Sequence, residues 1–294
     1  NVTGDYNTSV GYSALGAIAV DGHNANTAVG YQAGLALTTA TDSTAIGMQA
    51  LLTEDVASRS TAVGTQALYY QNAGTGPANN TAVGVFAGYR NVTGINNTYV
   101  GQSAGLGGVG NNSGNTAVGK DAMLAVTSGS YNVCVGRSAG SGLTDGAANV
   151  IIGVSAGDTS AEMGKMVVIG ASACSEDMTD AVDGTVAIGY QALTALSTGT
   201  QSVAIGHNAL AANTTGNQNT AIGFNALAEH VDGGSNMAIG PGAMDGTGTG
   251  TTSDGSNYNI AIGRDALGGD WVNDATSDAN IAIGVFSMDA AMDG

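Results

Sequence analysis

Residues 213–227 read Asn-Thr-Thr-Gly-Asn-Gln-Asn-Thr-Ala-Ile-Gly-Phe-Asn-Ala-Leu, and the second half of that stretch returns along the whole chain. The recurring phrase is Asn-Thr-Ala-Val/Ile-Gly-x-x-Ala-Leu/Gly, as in 26–34 (NTAVGYQAG) and 80–88 (NTAVGVFAG). Its central glycine falls at Gly11, Gly30, Gly47, Gly64, Gly84, Gly101, Gly119, Gly136, Gly153, Gly170, Gly189, Gly206, Gly223, Gly240, Gly263 and Gly284. Nine of the fifteen spacings are 17 residues, and the others, 18 to 23, are the same unit with small insertions. A fixed short period predicts a one-dimensional stack of like units in place of a globule around one core.

Within a unit, the Thr-Ala-Val/Ile run is suited to a strand, with alternate side chains on opposite faces. The Val/Ile slot keeps its kind throughout, at Val29, Ile46, Val63, Val83, Val118, Ile188, Ile205, Ile222, Ile239 and Ile262 among others. β-branched residues at one slot predict a continuous ladder, which we assign to the structural core. The alanine three residues after the glycine (Ala33, Ala67, Ala226) joins that core, because a slot that admits only Ala or Ser leaves room for nothing larger. The polar, glycine-bearing remainder, such as 211–217 (AANTTGN), closes the coil as an outward loop. The expected fold is therefore all-β: a parallel β-roll or β-solenoid of about sixteen 17-residue coils. Its domain organisation is a single continuous array over 1–294, with regular coils to about 240 and longer insertions over about 241–294. At about 4.8 Å per coil such a stack would extend on the order of 75–80 Å. One coil offers a thin interior against an ordering cost of roughly 1–2 kcal/mol per residue. That leaves two remedies, neighbouring coils stacked into a longer core or several chains sharing one axis, and the Ala and Gly at fixed positions favour packed chains.

Composition narrows the function. The 294 residues hold 23 acidic and six basic side chains, a formal charge of −17, so neither nucleic acid nor an anionic membrane surface is an expected partner. No run of 18 apolar residues predicts membrane insertion, and the start at Asn1, inside a repeat-like run, reads as a mature piece or a fragment of something longer. Cys134 and Cys174 occupy ordinary repeat slots and are expected to be small buried hydrophobes. His23, His207 and His230 have no metal-ligand spacing, and no nucleophile–base motif stands out, so no catalytic residue, resident metal or other cofactor is expected and the chain reads as non-enzymatic. Calcium is the one ion that the acidic stretches 175–183 and 270–278 would suit, if several oxygens converged; the other reading is a solvated acidic surface.

Irregular coils are the candidates for binding, since function collects on loops held by a rigid scaffold. Two carry exposed-type aromatics: Tyr69 and Tyr70 open the insertion 69–79, and Trp271, flanked by Asp270 and Asn273, lies in 268–279. Aromatics beside Asn and Asp suit sugar stacking, against the alternative that they merely cover coil edges.

The phrases quoted above resemble the head repeats of trimeric autotransporter adhesins, with their (Ser/Asn)-x-Ala-(Ile/Val)-Gly-x-x-Ala unit. They are similar, more closely, to NTAVGYQAL-type repeats of bacteriophage tail fibres, of which 213–227 is nearly an ideal copy. The resemblance covers essentially the whole chain. It implies an interlocked homotrimer around a hydrophobic axis and an extracellular role, on a virion tail fibre or a bacterial surface, in attachment to a host-surface glycan or protein. The competing expectation is an architectural subunit of an extracellular filament or sheath that polymerises end to end without a specific ligand. A flat threonine array of the ice-binding kind is disfavoured, because Thr27, Thr44 and Thr61 give way to Val133, Val150 and Val167 in the same slot.

Overall fold

The computed structural model describes residues 4–18, 22–107, 110–176, 178, 183–248, 255–269 and 278–289. The chain divides into two compact units, Asn1–Ala148 and Asn149–Gly294. The first holds β1 (Gly4–Asp5), β2 (Thr8–Val10), β3 (Gly22–His23), β4 (Thr27–Val29), β5 (Thr44–Ile46), β6 (Thr61–Val63), β7 (Thr81–Val83), β8 (Thr98–Val100), β9 (Thr116–Val118) and β10 (Val133–Val135). There β1 pairs in parallel with β3, while β2 and β4 to β10 form a parallel ladder in chain order. The second unit repeats the arrangement with β11 (Val150–Ile152), β12 (Val167–Ile169), β13 (Val186–Ile188), β14 (Val203–Ile205), β15 (Thr220–Ile222), β16 (Met237–Ile239), β17 (Ile260–Ile262) and β18 (Ile281–Ile283). A short 3₁₀ turn, Asp245–Gly248, interrupts it. Both units are β-solenoids, with one three-residue strand per coil.

The register puts like residues on like residues: Val29 opposite Ile46, Ile205 opposite Ile222. At Gly223 the glycine requirement has two causes. Its φ is +146°, and an added Cβ would lie 2.4 Å from the carbonyl oxygen of Gly240 in the next coil. The chain then turns; Ala226 N–H donates to Gly223 O at 3.4 Å and Leu227 N–H to Ala243 O of the next coil at 3.0 Å. Leu227 and Asn225 both take positive φ, as do their counterparts Leu210 and Asn208 one coil earlier. Non-glycine residues in this region are strained, and they persist because interstrand hydrogen bonds on either side define the backbone.

The interior corrects one expectation. From β4 onward the middle residue of each three-residue strand points inward: Ala28, Ala45, Ala62, Ala187, Ala204 and Ala221 are fully buried. Ala33, Ala67 and Ala226 are likewise fully buried, as the slot's size restriction implied. The Val/Ile ladder forms but lies on the outer face of the sheet. Ile46, Val83 and Ile222 are 36–38% exposed, and Val29, Val63, Val118, Ile188, Ile205, Ile239 and Ile262 are half-buried. The physical reason is room: a coil this small closes around Ala and Leu, and strand alternation then sends both Thr and Val/Ile outward.

Where a large residue does enter, its neighbours shrink. Tyr99 replaces the inward alanine, and the usual Leu slots beside it are Gly88 and Gly105, where a Cβ would stand 2.8 Å and 2.2 Å from the Tyr99 ring. Many of the polar atoms in the interior belong to an asparagine column. Asn97 N–H donates to Asn80 Oδ1 (2.8 Å), Asn115 N–H to Asn97 Oδ1 (2.9 Å) and Asn132 N–H to Asn115 Oδ1 (2.9 Å). Each amide nitrogen in turn donates to a loop carbonyl, as Asn115 Nδ2 does to Gly129 O at 2.8 Å. The column therefore satisfies buried backbone groups where strand pairing has not yet begun. Cys134 and Cys174 are buried and free, and burial pushes both thiols up to about 12.

Candidate functional site

The insertion after β6 builds an aromatic cluster on the first unit. Tyr69 and Tyr70 follow Leu68, whose N–H donates to Ala87 O of the next coil (2.9 Å); Tyr70 N–H then donates to Tyr89 O (3.1 Å). These bonds set the Tyr69–Tyr70 pair beside Tyr89 and Phe86. Ring centroids lie 4.6 Å apart for Tyr69–Tyr70, 5.3 Å for Tyr69–Tyr89, 5.1 Å for Tyr70–Tyr89 and 5.5 Å for Phe86–Tyr89, mostly edge to face. Such contacts fix ring orientation as well as adding attraction.

An unexpected buried acid holds the segment that follows Tyr70. Glu54 is fully buried, and its Oε1 accepts from Ala57 N (2.8 Å) and Val56 N (3.3 Å). Its Oε2 accepts from Gln71 Nε2 (3.0 Å) and Ala73 N (3.4 Å). Gln71 Nε2 also donates to Ser60 Oγ, and Gln71 Oε1 accepts from Asn80 Nδ2. Burial raises the Glu54 carboxyl above its ordinary range against the opposing effect of those donors. The network anchors the chain immediately after Tyr70.

Tyr70, Tyr89, Arg90 and Val92 line an open hollow of about 290 Å³. The Tyr89 phenol is held above its ordinary value by desolvation first, then by its hydrogen bond to Tyr70 and the neighbouring phenols, with Arg90 opposing. The Tyr89 phenol accordingly remains protonated at neutral pH and can both donate and accept. Among the described residues Arg90 makes no ion pair, unlike Lys120, Lys165 and Arg264.

Tyr69 and Tyr70 are thus brought together, while Asp270, Trp271 and Asn273 lie outside the described residues. Phe86, Tyr89, Arg90 and Val92 were missing from the sequence reading, yet the repeat register pointed to two of them. Tyr69 and Tyr89 each stand five residues after the unit glycine, at Gly64 and Gly84, and Tyr70 and Arg90 each stand six after it.

Each unit carries a second surface along its own ladder of strands. Besides the half-exposed Val/Ile ladder, the residue after the unit glycine is exposed and apolar in many coils: Tyr31 and Met48 in the first unit, Tyr190 and Phe224 in the second. Tyr190, His207 and Phe224 stack in sequence at 5.2 Å and 5.1 Å, and Tyr12 and Tyr31 at 5.5 Å. A strip of this kind is more continuous than scattered surface hydrophobes.

Acidic residues gather around the 3₁₀ turn. Desolvation, then Asp265, push the Asp245 carboxyl up to about 6. Among the described residues no group of three or more His, Cys, Asp or Glu side chains is placed to hold a metal ion. The stretches 175–183 and 270–278, considered for calcium, fall largely outside the described residues. No helix among the described residues is long and apolar enough to cross a membrane. No protein-family model matches the chain, and no curated protein matches it.

Proposed function

We propose that this chain is a non-enzymatic segment of a homotrimeric extracellular fibre, of the tail-fibre or surface-adhesin kind, that carries attachment loops toward a host-surface glycan or protein. The observation that supports it is the outward Val/Ile ladder: apolar, half-exposed and repeated in every coil of both units. A face that recurs at the coil period offers the same pattern to a second and third copy in register. Closing three copies around it would remove the apolar strip from water, at about 25 cal/mol per Å² covered. The coil interior itself is filled by alanine, leucine and the asparagine column, so each chain keeps its own core while sharing a second one. The aromatic hollow lies where the insertion that begins at Tyr69 meets Tyr89 and Arg90 of the next coil, and it offers a place for a ligand.

The ladder is open to direct test with the double substitution Ile205→Asp and Ile222→Asp. Both side chains lie on the outer face, so the single-chain coil tolerates them, whereas a shared apolar axis does not. Light scattering on wild type and variant should show a fall from three chains to one with the far-ultraviolet circular dichroism retained. An unchanged mass in the variant would overturn the shared-axis reading.

A further inference from the structure

We infer that the hollow beside Tyr70 and Arg90 binds a saccharide unit that carries a carboxylate, a uronic or sialic acid type of sugar, in preference to a neutral one. The inference deepens the attachment reading above and rests on it. Its walls are the Tyr70 and Tyr89 rings and Val92, with Tyr69 and Phe86 packed against them. Ring faces receive the C–H face of a pyranose, and phenol hydroxyls at the rim exchange hydrogen bonds with its hydroxyls. A hollow of about 290 Å³ is of single-residue size, at the lower end of small-ligand sites.

Arg90 decides the class. The chain has six Lys and Arg residues against 23 acids, and this one is exposed, in the hollow and without a carboxylate partner among the described residues. A guanidinium presents a planar fork of donors that matches a carboxylate in two parallel hydrogen bonds. The net charge of −17 repels an anion at a distance, so selectivity comes from contact and not from steering. An aromatic cage for a quaternary ammonium is the other use of clustered tyrosines, but there a guanidinium in the wall would repel the ligand.

The test compares methyl glucuronide with methyl glucoside, which differ at one carbon, by saturation-transfer NMR and titration on the full chain. We expect the glucuronide to bind about tenfold or more tightly than the glucoside, the scale of one charge-assisted pair. Arg90→Gln should bring the two affinities together, Arg90→Lys should restore part of the difference, and Tyr70→Ala should weaken both. Arg90 is exposed, so circular dichroism of its variants should match wild type. Equal affinities in wild type, an unchanged ratio in Arg90→Gln, tighter binding of tetramethylammonium, or no binding of either sugar would each overturn the inference. Attachment of wild-type protein to host cells, measured in parallel, separates the two readings. Cells bound equally by wild type, Arg90→Gln and Tyr70→Ala would sink the hollow and leave attachment standing; sugar binding without cell attachment would sink the attachment reading alone.

Discussion

Asn219 is the sharpest place to test how the coils are held together. Its side chain is fully buried and joins two coils: Oδ1 accepts from Asn236 N at 2.9 Å, and Nδ2 donates to Gly233 O at 2.7 Å. Asn236 Nδ2 also reaches Oδ1 at 3.2 Å, but it keeps Ser256 O at 2.8 Å when Asn219 is removed. Asn219→Ala therefore leaves one buried N–H and one buried carbonyl without their partner. Each such loss costs about 1–3 kcal/mol, so the variant should lose about 2–5 kcal/mol after some relaxation. Asn219→Ser should lose only about half as much, because a hydroxyl in this slot still accepts the next coil's N–H, as Ser202 Oγ does from Asn219 N at 3.2 Å. Repeat arrays open locally, so the assay is native-state hydrogen exchange at the Asn236 amide alongside urea unfolding. The exposed Thr215→Ala, whose hydroxyl donates only to the Asp232 carboxylate, is the control and should stay within about 0.5 kcal/mol of wild type. An Asn219→Ala loss no larger than the control, with the Asn236 amide still protected, would refute the assignment of the column as the seam between coils.

Three further outcomes are expected. Gly223→Ala should destabilise by several kcal/mol in thermal or urea unfolding, since its Cβ would meet the Gly240 carbonyl oxygen at 2.4 Å and its φ of +146° is unfavourable for alanine; a loss under about 1 kcal/mol would contradict this. Tyr99→Ala should cost about 3–5 kcal/mol by leaving a cavity, and adding Gly105→Leu should recover part of it by restoring the common pair of residues; a double-mutant cycle with no coupling would dismiss the compensation. Asp245 has a folded value raised from 3.8 to about 6, so its contribution to stability is fully present below pH 3.8 and is lost as pH rises through about 6; Asp245→Asn should remove that segment from a plot of Tm against pH, and an identical plot would count against the desolvated cluster.

The period and the Thr-Ala-Val/Ile phrase were enough to place the strands, because a three-residue strand at a fixed slot leaves no choice of register. Period-two alternation alone could not say which face is inside. Val/Ile looked like the core by hydrophobicity, but the coil is too narrow for it, and the fully buried Ala221 beside the 36%-exposed Ile222 shows which face lost. The asparagine at the head of the phrase was visible, yet nothing marked it as interior; counting the backbone groups left unpaired at each strand entry would have identified it. Tyr89 and Arg90 sat in known columns and needed only the register to be carried one coil forward. Glu54 was not legible at all, since nothing local marks a loop acid that will be buried under four hydrogen bonds. Positive φ at Gln191, Leu193 and Leu210 was equally hidden, because these residue types disfavour it and only the neighbouring coils impose it.

The shared apolar axis is the central claim, and the most direct measurement is the solution mass of the wild-type chain by sedimentation and light scattering in dilute buffer, with and without calcium. The account predicts a discrete species at three times 28.6 kDa with an elongated frictional ratio in both conditions. A monomer with its Val/Ile ladder in water, or an open series of polymers, would contradict it.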